Sequence, residues 1–188
     1  MAEVFGYVAH SVDGFIAGPG DDLSFLPSPE NGEDFGFAAM LAQVGCMLMG
    51  RRTFDVVQGF GGPWPYGQLP ILVATHRPLP VDAPPTVQAV SGALDALVAQ
   101  ARAIALERDV YVDGGQVLAE ALGLGLVDRL TLTSVPVLLG GGVPLSAGLK
   151  QPVHLLPTGD ECLPMGLIRR CFRVLPTARA PVPHAPNR

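Results

Sequence analysis

Charge is scarce in this chain. Asp, Glu, Lys and Arg make up only 15% of its 188 residues, and the net charge is −5 with no basic run. Nucleic-acid binding needs clustered Lys and Arg to displace counterions, so that class is excluded. Cysteine is scarce as well, and Cys46, Cys162 and Cys171 show no CxxC or CxxH spacing. An odd count without ligand spacing implies reduced thiols in a cytoplasmic protein rather than a disulfide framework. The histidines (His10, His76, His154, His184) lie far apart, so no metal site is expected. No apolar run reaches the ~18 residues of a membrane span, since Asp95, Arg102 and Glu107 interrupt the longest candidate. The opening MAEVFGYVAH has neither the basic start nor the long apolar stretch of a signal peptide.

Several catalytic signatures are missing too. No GxGxxG follows the first apolar run, no GxxxxGK[ST] occurs, and there is no GxSxG elbow or zinc-deaminase pairing of HxE with PCxxC. What is abundant is apolar material, at 48%, together with 23 Gly and 19 Pro. The first supplies a core and rules out an expanded chain. The second marks turns and binding loops wherever it clusters between apolar runs.

Strand-like runs at 4–9, 46–50, 70–76, 86–90, 109–115, 128–138 and 166–175 alternate with helical spacing at 33–44, 51–58, 92–106 and 116–124. In 33–44, Phe37, Met40, Leu41 and Val44 fall on one helical face, and Glu33 and Asp34 suit its N-terminal end. Pro136 marks an edge or bulge in 128–138. The alternation predicts one α/β domain over 1–175 with a mostly parallel sheet. The Pro-rich tail 176–188 is expected to be disordered.

Three predicted strand ends carry polar groups beside glycine or a helix start. They are Gly50-Arg51-Arg52-Thr53, Thr75-His76-Arg77 and Asp113-Gly114-Gly115-Gln116. Open α/β sheets bind ligands outside the carboxyl ends of their strands, where helix N-termini and Arg favour anions. The three ends together point to a phosphate-bearing ligand.

SVDGFIAG (11–18), MGRRTF (49–54), ILVATHR (71–77), YVDGGQVLAEAL (111–122) and VDRLTLTSVPVLLGGGVPL (127–145) occur in an order that resembles the dihydrofolate reductase-like superfamily. The resemblance is strongest to the RibD C-terminal family, the reductase domain of riboflavin biosynthesis. It implies a three-layer α/β/α domain, NADPH as cofactor and a homodimer. By motif match, Gly50, Arg51, Arg52 and Thr53 would hold the pyrophosphate and the adenosine side. Thr75, His76 and Arg77 would flank the adenosine 2′-phosphate, and Gly114, Gly115, Gln116 and Val117 would admit the pyrophosphate to a helix start. Ala9 and Ile16 match positions whose backbone meets the nicotinamide. An Arg-rich adenosine site fits a 2′-phosphate, whereas a free ribose hydroxyl is bound by Asp or Glu.

The implied chemistry is reduction of a small heterocycle, with 5-amino-6-(5-phosphoribosylamino)uracil as the riboflavin-pathway substrate. Dihydrofolate or another pterin is the alternative, and a non-catalytic nucleotide-binding module is a third reading. Asp34 is a candidate proton-delivering carboxylate or a helix-end stabiliser, and Asp13 a second candidate or a turn residue. Phe37, Trp64 and Tyr66 are candidates for contact with a flat substrate, the last two equally for loop anchoring. The stretch FLPSPENG departs from the tryptophan-containing pattern of dihydrofolate reductases, and a deaminase half is not expected. A phosphorylated substrate calls for a further basic group that the sequence does not single out.

Overall fold

The protein is represented by a computed structural model that describes residues 2–28 and 33–176. The tail expected to be disordered lies, from 177 onward, outside the described residues. The apolar runs become strands β1 (Val4–Ser11), β3 (Val44–Gly50), β4 (Ile71–Ala74), β5 (Val87–Val90), β6 (Asp109–Asp113) and β7 (Arg129–Val135). With β9 (Leu155–Cys162) and β10 (Ile168–Val174) they form an 8-stranded sheet in the order β5-β4-β3-β6-β1-β7-β10-β9. Strands from β5 to β7 pair in parallel, and β10 and β9 close the far side antiparallel. A small ribbon pairs β2 (Phe15–Ala17) with β8 (Val143–Pro144).

Helices cover both faces, giving the expected three layers. Helices α3 (Leu94–Ala105) and α4 (Gly115–Gly123) lie on one face, and α1 (Phe37–Leu41) and α2 (Arg51–Gly59) on the other. Strand β3 shows why its sequence is apolar throughout. Cys46 and Leu48 enter the α3/α4 core, while Met47 and Met49 enter the α1/α2 core, all with no exposed surface. In β1, Val4 and Val8 face α3/α4, whereas Phe5 and Tyr7 face the opposite layer. Gly6 packs tightly between them: a Cβ there would stand 2.7 Å from a Leu118 methyl of α4 and 2.9 Å from a Leu130 methyl, so those side chains would have to shift.

Three expectations change, and one strand was not foreseen. The helix predicted over 33–44 is confined to Phe37–Leu41, because Phe35 (φ 49°) and Gly36 (φ 79°) are left-handed and stop it from starting earlier. The strand predicted over 128–138 ends at Val135, before Pro136. That strand is also no edge, since β1 and β10 flank it, and the edges are β5 and β9. β9 was not legible, because LLPTGDEC holds Pro, Gly and two acids and is almost wholly exposed. Among the described residues, no helix is long and apolar enough to cross a membrane. No group of three or more His, Cys, Asp or Glu among them is arranged to hold a metal ion.

Candidate active site

The parallel strands place Ser11, Gly50, Ala74 and Asp113 along one margin of the sheet. Two helices start there. Helix α2 follows Gly50 and α4 follows Gly114, and neither start is capped by a side chain. Their first backbone N–H groups have no intrahelical acceptors and carry the positive ends of the helix dipoles. The two starts are pressed together: a Cβ at Gly114 would fall 2.6 Å from Thr53 Oγ1 and 3.3 Å from the Gly50 nitrogen. Gly114 also has φ 101°, which disfavours any other residue. A Cβ on Gly115 would strike the Ile16 Cδ1 at 2.5 Å, and one on Gly50 would touch Val117 at 3.3 Å. Gly50, Thr53, Gly114, Gly115, Val117 and Ile16, drawn from three separate motifs, are therefore neighbours. Gln116 is exposed on the first turn of α4.

The basic residues divide. Arg51 is turned to internal use: its Nη1 donates to the carbonyls of Arg77 (3.3 Å) and Pro78 (2.8 Å), and its Nε to Asp55 (2.7 Å). It ties α2 to the loop after β4. Arg52 and Arg77 remain at the surface, each with a side chain 68% exposed, paired with Asp21 and Asp55. Thr75 Oγ1 accepts the Arg77 backbone N–H at 3.0 Å and so shapes that loop, and His76 is exposed beside it.

Neither candidate proton donor is free. Asp34 accepts from the backbone N–H of Gly36 (2.9 Å) and Ala38 (2.8 Å), one on each oxygen, and these bonds lower its pKa. It caps the short helix α1, and it also lines the cleft described next. Asp13 accepts from the Ser11 hydroxyl (2.6 Å) and the N–H groups of Leu139 (3.1 Å) and Gly140 (2.7 Å), which hold its pKa at about 2. It fastens the β1–β2 turn to the glycine loop. Both carboxylates stay ionised and engaged at neutral pH.

Asp113 differs. It closes β6 directly before Gly114, whose N–H it accepts at 2.8 Å, and burial pushes its pKa up to about 6. The folded protein thus binds this proton more tightly than the unfolded chain, so the group costs stability as pH rises from about 4 to about 6. Asp113→Asn keeps an oxygen acceptor for Gly114 and removes the titration. We expect it to be more stable than the wild type at pH 7, by up to about 3 kcal/mol, with the difference vanishing below pH 4; urea unfolding across pH measures this.

A cleft of about 170 Å³ opens on the α1/α2 face of the sheet. Its walls are largely apolar: Ala9, Pro27, Phe35, Phe37, Val135 and Leu167. Its polar members are Tyr7, Thr133, Asp34 and Arg169. Phe37, a sequence candidate, is in the wall. Trp64 and Tyr66 instead form an aromatic cluster beside it, with Tyr66 6.5 Å from Phe37, Trp64 5.3 Å from Tyr66 and 5.9 Å from Phe54. They anchor the 59–70 loop onto α2. Sequence reasoning passed over Arg169, one of several arginines in the last strand. Only the register of β10, which turns Arg169 toward Tyr7, distinguishes it from Arg170.

No family model matches the sequence. YwjB of Bacillus subtilis, an uncharacterised protein, is 25% identical over 158 residues, covering 82% of this chain and 88% of its own. A solved structure from Shewanella sp. PV-4, named provisionally as a riboflavin biosynthesis protein, superposes with TM-score 0.84 at 30% identity over 93% of this chain and 99% of its own. The Thermotoga maritima diaminohydroxyphosphoribosylaminopyrimidine deaminase/5-amino-6-(5-phosphoribosylamino)uracil reductase shares the fold, with TM-score 0.65 at 16% identity. This chain covers 57% of that longer one. Sheet order, the paired helix starts at Gly50 and Gly114, and the full-length match to the Shewanella protein converge: the chain belongs to the dihydrofolate reductase-like superfamily, in the RibD C-terminal domain family.

Proposed function

We propose that this protein is an NADPH-dependent reductase of a small planar heterocycle. The observation that carries the reading is the cradle between α2 and α4, where two uncapped helix starts meet around Gly50 and Gly114. Two sets of backbone donors, brought close because Gly114 carries no Cβ between them, suit a pyrophosphate. Thr53, Gly115 and Gln116 would hold it, with Val117 in support. Arg77 and Arg52, with Thr75 and His76 beside them, would take the adenosine 2′-phosphate. Arg51 would keep the Arg77 loop in position from behind. Ile16 against Gly115, and Ala9 in the cleft wall, would align the nicotinamide with the substrate. NADPH supplies the hydride when bound.

The protein's own contribution is orientation and exclusion of water. The apolar cleft holds a flat ring beside Ala9, and Phe37 covers it. The substrate we favour is a uracil-type ring such as 5-amino-6-(5-phosphoribosylamino)uracil, which the Thermotoga maritima protein of the same fold is named as reducing. A pterin is a weaker fit, since Asp34, the carboxylate that would meet its amino group, already accepts a backbone N–H on each oxygen.

Arg77→Ala tests the cofactor assignment. Losing a charge-assisted bond to the 2′-phosphate should weaken NADPH about tenfold or more and leave NADH affinity unchanged. An equal effect on both nucleotides would remove Arg77 from the phosphate site. NADPH oxidation with a panel of pyrimidines, pteridines and quinones tests catalysis, and binding without turnover of any would favour the non-catalytic module.

A further inference from the structure

The register of four strands sets one row of residues across the floor of the cleft. Ala9 of β1 is opposite Thr133 of β7, Thr133 is opposite Arg169 of β10, and Arg169 is opposite Glu161 of β9. Strands are spaced ~4.8 Å apart, so Arg169 stands roughly 10 Å from Ala9 along that row. That span suits a single ring with its substituents.

Arg169 is held firmly. Its Nη2 donates to the Tyr7 hydroxyl at 2.9 Å and to the Phe35 carbonyl, and its Nη1 to Glu161 at 3.1 Å. Its guanidinium lies 5.6 Å from the centroid of the Tyr7 ring. The side chain is only 15% exposed, and among the described residues its Nε has no acceptor. The charged groups around it are the Glu161 and Asp34 carboxylates. Glu161 is on the solvent side, with a side chain 58% exposed, and Asp34 accepts two backbone N–H bonds. Thr133 is buried in the same row, and no hydrogen bond engages its hydroxyl among the described residues. A fixed cation, an available hydroxyl and an apolar wall favour an electron-rich oxygen and penalise a cationic or amino-edged ring.

We infer that Arg169, with Thr133, is the specificity-determining group of the cleft, anchoring an oxo or carboxylate oxygen at the end of the substrate remote from Ala9. This rests on the cleft being the substrate site of the proposed reductase. Arg169 also buttresses the 34–36 turn through the Phe35 carbonyl, so a simple loss of activity would not distinguish recognition from support. A ratio of affinities does.

Barbiturate, an anionic trioxopyrimidine, and 2,4-diaminopyrimidine, its amino-edged counterpart, are matched probes. Their binding to the full chain is measured by ligand-observed NMR with saturating NADPH, and NADPH affinity is measured separately. The wild type should prefer barbiturate at least tenfold. Arg169→Gln should reduce that preference about tenfold with NADPH affinity unchanged. Glu161→Gln, which removes an exposed competing carboxylate, should raise it two- to threefold, and it decides the matter if Arg169→Gln does not fold. No preference in the wild type, equal weakening of both probes in Arg169→Gln, or an unchanged ratio in Glu161→Gln would overturn the inference while NADPH binding stands. A barbiturate preference that follows Arg169 without NADPH binding would support the anchor and count against the cofactor.

Discussion

Gly114→Ala should weaken NADPH binding by at least tenfold, about 1.4 kcal/mol, and destabilise the protein as well. Two effects act at one atom. A residue with a Cβ is strained at φ 101°, and the added carbon would sit 2.6 Å from Thr53 Oγ1 and 3.3 Å from the Gly50 nitrogen. Thr53 can rotate away, but the Gly50 backbone cannot without moving the start of α2. The strain costs on the order of 1–3 kcal/mol, which lowers Tm by roughly 5 °C. Relief by separating α4 from α2 pulls apart the N–H groups that would share the pyrophosphate. Gly123→Ala, at the far end of α4, is the control. Nothing lies within 4 Å of a Cβ there, so it should bind NADPH like the wild type and be no less stable. Calorimetric titration and thermal unfolding of both variants make the comparison.

Phe54→Ala should be the most destabilising single change among these, at about 3–5 kcal/mol and roughly 10 °C or more in Tm. Phe54 is fully buried on α2, packed with Met47, Met49, Ile71 and Val73. It is also the floor on which Trp64 rests. The cavity would loosen the 59–70 loop and the start of α2 together, so the site should suffer with the fold. Denaturant unfolding gives the stability, and Trp64 fluorescence reports the loop. A loss below 1 kcal/mol would show that the α1/α2 layer re-collapses around the gap.

These two positions show what was legible in the sequence and why. The central strands were readable because a strand buried on both faces must be apolar throughout, as CMLMG is. The meeting of the α2 and α4 starts was readable in outline because Gly50 and Gly114 each close an apolar run and precede helical spacing, which puts both helix starts at the carboxyl ends of strands. Three features were not readable. The start of α1 depends on left-handed Phe35 and Gly36, held by Asp34 and by the Phe35 carbonyl bond to Arg169, a contact 134 residues away in sequence. β9 is an exposed edge whose residues carry no periodicity, because neither face is a core face. Arg51 and Arg52 are adjacent and chemically alike. Only the helix geometry turns one inward to the loop carbonyls and leaves the other at the surface. The same limit hid Arg169, which the β10 register separates from Arg170.

The engagement of Asp34 and Asp13 by backbone donors alters the expected division of labour. Both were candidates to deliver a proton, yet each holds a loop in place as an ionised group. Their substitution should therefore register first in stability and in the order of the cleft, with any change in turnover following from that.

The most direct test of the account is calorimetric titration of the full chain with NADPH and, separately, with NADH. One site per chain and an NADPH affinity about tenfold or more above that of NADH are expected, from the charge-assisted bonds of the 2′-phosphate. Equal and weak binding of the two nucleotides, or none, would contradict it.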